Sequence, residues 1–220
     1  MPSFGRVQAP PDARDRLHRF AAVVQPRDLS TLPKRKAWRR GPRRLDQGNL
    51  GACVAFAGGN WKQSYPLYTA VNNQLCFDDY WRCKDIDGIP NIEGTYARAL
   101  MKVYEAQGRI ERYLWAYTIE EALTWLQTKG PLLIGVNWYR KMSEPRQVGN
   151  LYIAEPQGVI DGGHEVEIDA GDLYKGLVRF QQSWGGWYGN NGQAWMTIET
   201  LERLLFNENG DCVTAIEKRP

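Results

Sequence analysis

At 220 residues, with 43% hydrophobic and 24% charged side chains, the chain has the make-up of a soluble globular protein able to bury one generous core or two small layers. No apolar run approaches the roughly 20 residues needed to span a bilayer. The opening stretch MPSFGRVQAPPDARDR carries charge and proline where a secretory signal needs an apolar centre, so a cytoplasmic protein with no membrane partner is expected. The net charge of +3 is unevenly divided: residues 1–46 hold twelve Lys or Arg against four Asp, a balance of +8, which leaves −5 for the remainder.

Residues 1–44 read as a basic Pro/Arg-rich arm with scattered hydrophobics, Leu17, Phe20, Val23 and Val24, extended or partly helical along the domain surface. Such a charge excess can attract nucleic acid or an anionic surface, but no nucleic-acid motif accompanies it. A solvated arm, or one docked on the acidic remainder of the chain, is the expectation, and nucleic acid is not an expected partner. His18, within this arm, is expected to be solvated.

Residues 52–65, ACVAFAGGNWKQSY, place Cys53, Ala57, Trp61 and Tyr65 four apart on one stripe, which predicts a helix despite Gly58 and Gly59, with Cys53 in its first turn. Residues 94–107 put Ala97, Leu100, Met101 and Tyr104 on one face before Gly108 stops the helix. Thr118 and Glu121 have the spacing of a capping box, and Ile119, Ala122, Leu123 and Leu126 form the stripe of the helix they open. Asp78 and Asp79 read as the start of a helix or turn. Beyond 131 the period changes to two, and strands are predicted at 131–139, 151–155, 164–170, 176–184 and 193–198. Helices followed by antiparallel strands predict an α+β chain in two lobes, helical over about 45–130 and β-rich over about 131–220.

Alternation across the strand at 164 sets His164, Val166, Ile168 and Ala170 on one face and Glu165, Glu167 and Asp169 on the other. In the next strand Gln182 shares a face with Val178, Phe180 and Trp184. If the two strands pair, an inward imidazole and an inward amide become neighbours. A thiol at a helix N-terminus has its thiolate favoured by the helix dipole and free backbone N–H groups, and an adjacent imidazolium adds to that. Cys53 is therefore the candidate nucleophile, His164 the candidate base and acid, and Gln182 the group that orients the ring. Gln47, across a glycine turn from Cys53, could aim its side-chain N–H at an oxyanion, with the Cys53 backbone N–H as second donor. None of the four cysteines, at 53, 76, 83 and 212, forms a CxxC pair; a zinc site is not expected, and Cys76, Cys83 and Cys212 read as structural thiols.

Three blocks carry a resemblance: QGNLGAC followed by VAFA, GGHEVEIDA, and QSWGGWYGNNGQAWM. They resemble, in order, the signature segments of the papain-like cysteine peptidases, and the match extends weakly through EGTYARALMKVYEAQGRI, which is similar to that family's second helix, and through the KGPLLIGVNW strand. The resemblance spans about residues 36–205. It implies a papain-like two-lobed fold, a helical left lobe with Cys53 and a β-rich right lobe with His164, and a polypeptide substrate extended in the cleft between them. Glu93, Gly94, Gly163 and Trp184 would line that cleft, and no cofactor is required. Trp184 would also roof the bond between Gln182 and His164, though ordinary core packing is equally compatible with its sequence context. Compact versions resemble those encoded by bacteriophages, which adds virion or assembly proteins as partners.

The chain departs from the family pattern at several points. Gln182 stands where an Asn orients the histidine, Leu50 where a Cys lies three residues before the nucleophile, and Val54 where a Trp follows it; Cys83 thereby lacks the family's disulfide partner. Glu93 precedes Gly94 where the family has Gly-Gly. Cys53 and Gln182 are 129 residues apart, against roughly 130 to 150 in the family. Three other readings stay open. The fold could serve as a binding or structural module with weakened catalysis, the chain could be a peptidoglycan-cleaving cysteine amidase or endopeptidase, and the basic arm could gate the cleft.

Overall fold

The structure is a computed structural model that describes residues 3–218; Met1 and Pro2, at the start of the arm, lie outside the described residues. Its centre is α1 (Cys53–Gln63), every residue of which is buried. Glycine inside a helix costs about 1 kcal/mol relative to alanine, and two are spent here on close approach. A Cβ at Gly58 would lie 2.5 Å from Leu100 Cδ2, and one at Gly59 2.4 Å from Cys76 Sγ. Those atoms belong to α3 (Ala97–Ala106) and α2 (Asn73–Ile86), which press on α1 from two sides. Residues 78 and 79, expected as a helix or turn start, sit in the middle of α2, whose N-terminus is capped by the Asn72 side chain accepting the Leu75 N–H at 2.9 Å. α4 (Ile119–Thr128) begins as its capping-box spacing predicts, with the Thr118 hydroxyl accepting the Glu121 N–H at 3.2 Å. The Glu121 carboxylate returns to the N–H of Tyr117 at 2.6 Å, one residue before the cap.

Among the described residues nine strands make one sheet: β1 (Arg35–Ala37), β2 (Ile110–Trp115), β3 (Leu132–Tyr139), β4 (Arg146–Val148), β5 (Leu151–Ile153), β6 (Ile160–Asp172), β7 (Leu177–Gln181), β8 (Gln193–Thr197) and β9 (Asp211–Glu217). Their order is β2-β9-β3-β6-β7-β8-β5-β4, with β1 added to β6. All pairings are antiparallel except β5 with β8. Two apolar clusters result. One, around Phe56, Tyr80, Leu100 and Tyr104, surrounds α1; the other, around Trp138, Val166, Ile168 and Phe180, fills the sheet side. The long strand β6 is buried on both faces: Glu165, Glu167 and Asp169 are as inaccessible as His164, Val166 and Ile168.

The arm is tied down at intervals. β1 pairs with the end of β6, Trp38 donates its indole N–H to the Leu126 carbonyl at 2.8 Å, and Phe20, Leu32 and Trp38 are buried in the sheet-side core. Leu17, by contrast, is exposed. Asp15 pairs with Arg98 on α3. His18 stacks on Tyr113 with ring centroids 4.4 Å apart, a half-buried contact in place of the expected solvation. Among the described residues no helix is long and apolar enough to cross a membrane.

Candidate active site

The loop before α1 is fastened to the loop after β7. Gln47 N–H donates to the Ser183 carbonyl at 2.9 Å, Gly185 N–H to the Leu45 carbonyl at 3.0 Å, and the Ser183 hydroxyl to Gln47 Oε1 at 2.6 Å. Gly48, with φ +61°, makes the turn between them possible, and its N–H is held by Asp46 at 2.9 Å. Side chains far apart in the chain are thereby fixed in one rigid body around Cys53, the first residue of α1.

His164 and Gln182 meet as the strand alternation predicts, with His164 Nε2 2.5 Å from Gln182 Oε1. An amide oxygen only accepts, so the ring proton sits on Nε2, and Nδ1 carries the free lone pair. Nδ1 has no hydrogen-bond partner among the described residues. The extra methylene of Gln182 is absorbed locally: its Oε1 also accepts the N–H of Ser183 at 3.0 Å, which curls the side chain back over its own backbone. The imidazole is walled by Trp138 (4.9 Å between ring centroids) and by Trp184 (4.8 Å, tilted 32°). Trp184 is both core and cover, being 2% exposed and lying over the ring.

An extended stretch of the arm, Ser3–Val7, fills the groove above these groups. The Ser3 carbonyl accepts from Gln47 Nε2 and from Trp184 Nε1, each at 3.3 Å. Phe4 packs edge-on against both His164 and Trp184. Gly5 and Arg6 donate their N–H groups to the Gly163 carbonyl at 3.2 and 3.0 Å, while Gly5 O and Val7 N–H bond to the backbone of Thr95, both at 2.8 Å. Glycines make the room. A Cβ at Gly163 would come 2.2 Å from Arg6 O, one at Gly94 (φ +103°) 2.3 Å from Gly5 O, and one at Gly162 2.8 Å from Phe4 Cβ. Glu93 accepts the Gly51 N–H at 2.6 Å and so braces the loop that leads to Cys53.

This cover sets the electrostatics. Cys53 is fully buried, and burial pushes its thiol up to about 12, against which the N–H groups of Glu165, Gly5 and Val54 act only in part; the nearby Glu165 carboxyl raises it further. Burial likewise lowers His164 to about 4, with the Gln182 bond opposing. The thiolate expected at the start of a helix is therefore not the form in this state. Burial with the arm in place thus favours the neutral form of both groups, and no hydrogen bond joins them among the described residues.

Of the eight residues singled out from the sequence, six border the groove holding Ser3–Val7, Gln182 lies behind the His164 ring, and Glu93 braces the loop before Cys53. Phe4, Gly5 and Arg6 are not marked individually by any motif of the sequence; Gly5 is required where it lies, because a Cβ there would come 1.9 Å from Gly51 O.

No protein-family model matches the sequence, and no curated protein matches it. Solved structures do. Xylellain, a cysteine protease from Xylella fastidiosa, superposes with a TM-score of 0.73 at 19% identity over 99% of this chain and 97% of its own. The bromelain protease from Ananas comosus, in complex with the E64 inhibitor, gives 0.64 at 14% identity over 85% of this chain and all of its own. The ragweed pollen allergen Amb a 11, a cysteine protease in its proform, gives 0.63 at 14% identity over 98% of this chain and 66% of its own. These neighbours are papain-like cysteine proteases, and this chain has their fold.

Proposed function

We propose that the protein is a papain-like thiol peptidase held latent by its own N-terminal segment. One observation carries the reading: an extended peptide, Ser3–Val7, lies across Cys53 with one carbonyl on Gln47 Nε2 and its N–H groups on Gly163 O. A groove that binds backbone in this way, between a thiol and an imidazole with a free Nδ1, is suited to a polypeptide substrate.

When the segment leaves and water enters, the desolvation that keeps both groups neutral is relieved. The Cys53 proton passes to His164 Nδ1, giving thiolate and imidazolium, while Gln182 holds the ring by Nε2. The sulfur attacks a substrate carbonyl, and the oxyanion is taken by Gln47 Nε2 and the Cys53 N–H. His164 then protonates the leaving amine, the C–N bond breaks, and an acyl-enzyme remains. Water, deprotonated by Nδ1, attacks the thioester; the carboxylic acid departs and the thiol is restored.

The leaving amine must depart beside His164, so a cleavable chain runs from the Thr95 side of the groove toward Trp184. Ser3–Val7 runs the other way, with Ser3 and Phe4 at Trp184 and Val7 at Thr95. This reversed polarity explains how the segment fills the site without being cut. A thiol-directed epoxysuccinyl probe is expected to label wild-type protein at one site and Cys53→Ala protein not at all; equal labelling of both would refute the assignment. Casein cleavage without clearing of purified cell walls distinguishes the peptidase from a wall hydrolase, and labelling without turnover of any polypeptide would favour a binding module.

A further inference from the structure

Between Lys34 and Arg44 the chain carries seven Lys or Arg, five of them Arg, and no acid. Only one of the seven, Arg35, forms an ion pair among the described residues, with Asp172 at 3.2 Å. Lys34 Nζ donates to the carbonyls of Leu29 and Ser30, and Arg40 donates to Asn60 Oδ1 at 2.8 Å, so these two are held by neutral acceptors. The side chains of Lys36, Arg39 and Arg43 have neither an ion pair nor a hydrogen bond among the described residues, and Arg39 and Arg43 are exposed. A run of this charge density, left without counter-charge by its own protein, is a surface for an anionic partner.

Aromatic rings are set against the run. Arg35 lies over Tyr174 (5.4 Å to the ring centroid), Lys36 over Trp38 (4.1 Å) and Arg39 over Tyr68 (4.8 Å), while Tyr65 stacks beyond Trp38 with centroids 6.2 Å apart and planes 9° from parallel. Trp38 is buried, but Tyr65, Tyr68 and Tyr174 are 53%, 40% and 73% exposed. Tyr68 is held at φ +53°, a left-handed conformation that a tyrosine rarely adopts; such strain persists only where the surroundings impose it, and it clusters at functional surfaces. The backbone beneath is fixed. β1 pairs with β6, the Leu173 N–H donates to Lys34 O at 2.7 Å, the Tyr65 N–H to Arg39 O at 2.6 Å and the Gly41 N–H to Gln63 O at 2.8 Å. At the end of the run Arg43 and Arg44 border an open cleft of about 430 Å³ whose other wall is Asn72, Asn73 and Gln74.

We propose that the run from Arg35 to Arg43, together with Tyr65, Tyr68 and Tyr174, is a binding surface for single-stranded nucleic acid. The unpaired cations take the phosphates, for which the guanidinium fork is suited, and the exposed tyrosine faces take unstacked bases. A duplex offers the same phosphates but keeps its bases stacked, so it can use the charge and not the rings. A bilayer surface needs aliphatic side chains beside the cations, whereas the exposed large apolar side chains of residues 34–44, 65–68 and 172–176 are tyrosines alone. An acidic peptide brings charge but no flat partner for the rings. No motif marks this surface in the sequence, because Tyr65, Tyr68 and Tyr174 reach the basic run from other parts of the chain. The surface does not depend on the peptidase chemistry.

The test is a fluorescence-anisotropy titration of a labelled oligothymidylate, about twenty nucleotides long, with the full chain. The affinity should fall about twentyfold between about 50 and about 200 mM salt, the dependence of three phosphate contacts on a single strand. The double variant Arg39→Glu, Arg43→Glu should bind at least about tenfold more weakly and with a flatter salt dependence. Tyr174→Ala should bind about tenfold more weakly with the salt dependence unchanged, a result that charge alone does not give. The wild-type chain should also prefer the single strand to a duplex of the same length, and this comparison needs no variant to fold. Equal affinity for the duplex, no loss in Tyr174→Ala, or capture by phosphatidylglycerol vesicles in place of the oligonucleotide overturns the proposal. Absence of binding by wild-type chain that unfolds cooperatively in urea overturns it as well, and none of these outcomes bears on the labelling of Cys53.

Discussion

Two cation–carboxylate contacts with little exposure, one in the helical core and one in the groove, are built differently. In the helical core Lys62 of α1 meets Asp79 of α2 at 2.5 Å; the lysine is 3% exposed, its Nζ sits 4.9 Å from the Tyr104 ring centroid, and Gln107 adds a second donor to Asp79. Partners 17 residues apart join two packed helices. In the groove Arg6 meets Asp211 across 205 residues of chain, and a second carboxyl, Glu165, stands by without a partner. The first contact is balanced, and neither partner can leave without opening the core. The second has one cation for two acids, and its cation is carried on a five-residue stretch bound through backbone. The comparison separates a pair that joins two packed helices from a pair whose cation is carried on the N-terminal arm.

Lys62→Met should be the most damaging change, destabilising by about 3 kcal/mol, because buried Asp79 loses its close cation and keeps only Gln107 at 3.3 Å and the exposed Arg82 at 3.4 Å. Urea unfolding measures it, and a loss below about 1 kcal/mol would show that the two contacts do not differ in this way. The next effect is one of pH. His164 is held at about 4 by burial, against about 6.5 in an unfolded chain. Its charged form is disfavoured in the fold, so stability is lost as pH falls from about 6.5 to about 4 and changes no further below that. The contribution is about 3 kcal/mol by linkage. The slope of wild type over this window, minus that of His164→Gln, should show it, and identical slopes would contradict the buried neutral imidazole.

Arg6→Ala should destabilise less, by about 1–3 kcal/mol, and should speed labelling of Cys53 by about tenfold or more, which no change at Lys62 should do. Slower or unchanged labelling would mean that Arg6 fastens the fold as Lys62 does. The smallest effect is expected at the ring-orienting amide. Gln182→Asn loses the bond to the Ser183 N–H yet can still reach His164 Nε2, so the labelling rate should change by less than about tenfold. Complete loss of labelling would show that the curled glutamine is itself required.

Much of the candidate site was readable because short periods carry it. Alternation by two predicted inward side chains at His164 and Gln182, and they meet at 2.5 Å, although β7 ends at Gln181 and Gln182 is the first residue beyond it. Four-residue spacing placed Cys53 at the start of α1, where the structure has it. Elements whose buried stripe is not conventionally apolar escaped. α2 buries Cys76, Asp79, Tyr80 and Cys83, two of them thiols and one a carboxylate whose shortest bond comes from Lys62 on another helix. β9 buries side chains on both faces from Cys212 to Ala215, so no alternation marks it, and β2 becomes a strand by pairing with β9 from the far end of the chain. The acidic face of β6 alternates as expected, but its burial depends on α1, β1 and the arm lying over it, which no local pattern encodes.

By itself the sequence determined the local matters: which residues share a strand face, where a helix starts, which side chains can serve as nucleophile, base and donor. Those follow from backbone periodicity and side-chain chemistry within a few residues of one another. Only the tertiary structure decided that Ser3–Val7 covers Cys53, that Arg6 finds Asp211, and that Glu165 is shut away beside it without a partner. The physical reason is the same in each case: water is excluded by segments from distant parts of the chain, and it is the exclusion of water that favours the neutral thiol and imidazole and holds the Glu165 carboxyl above the usual carboxylate range.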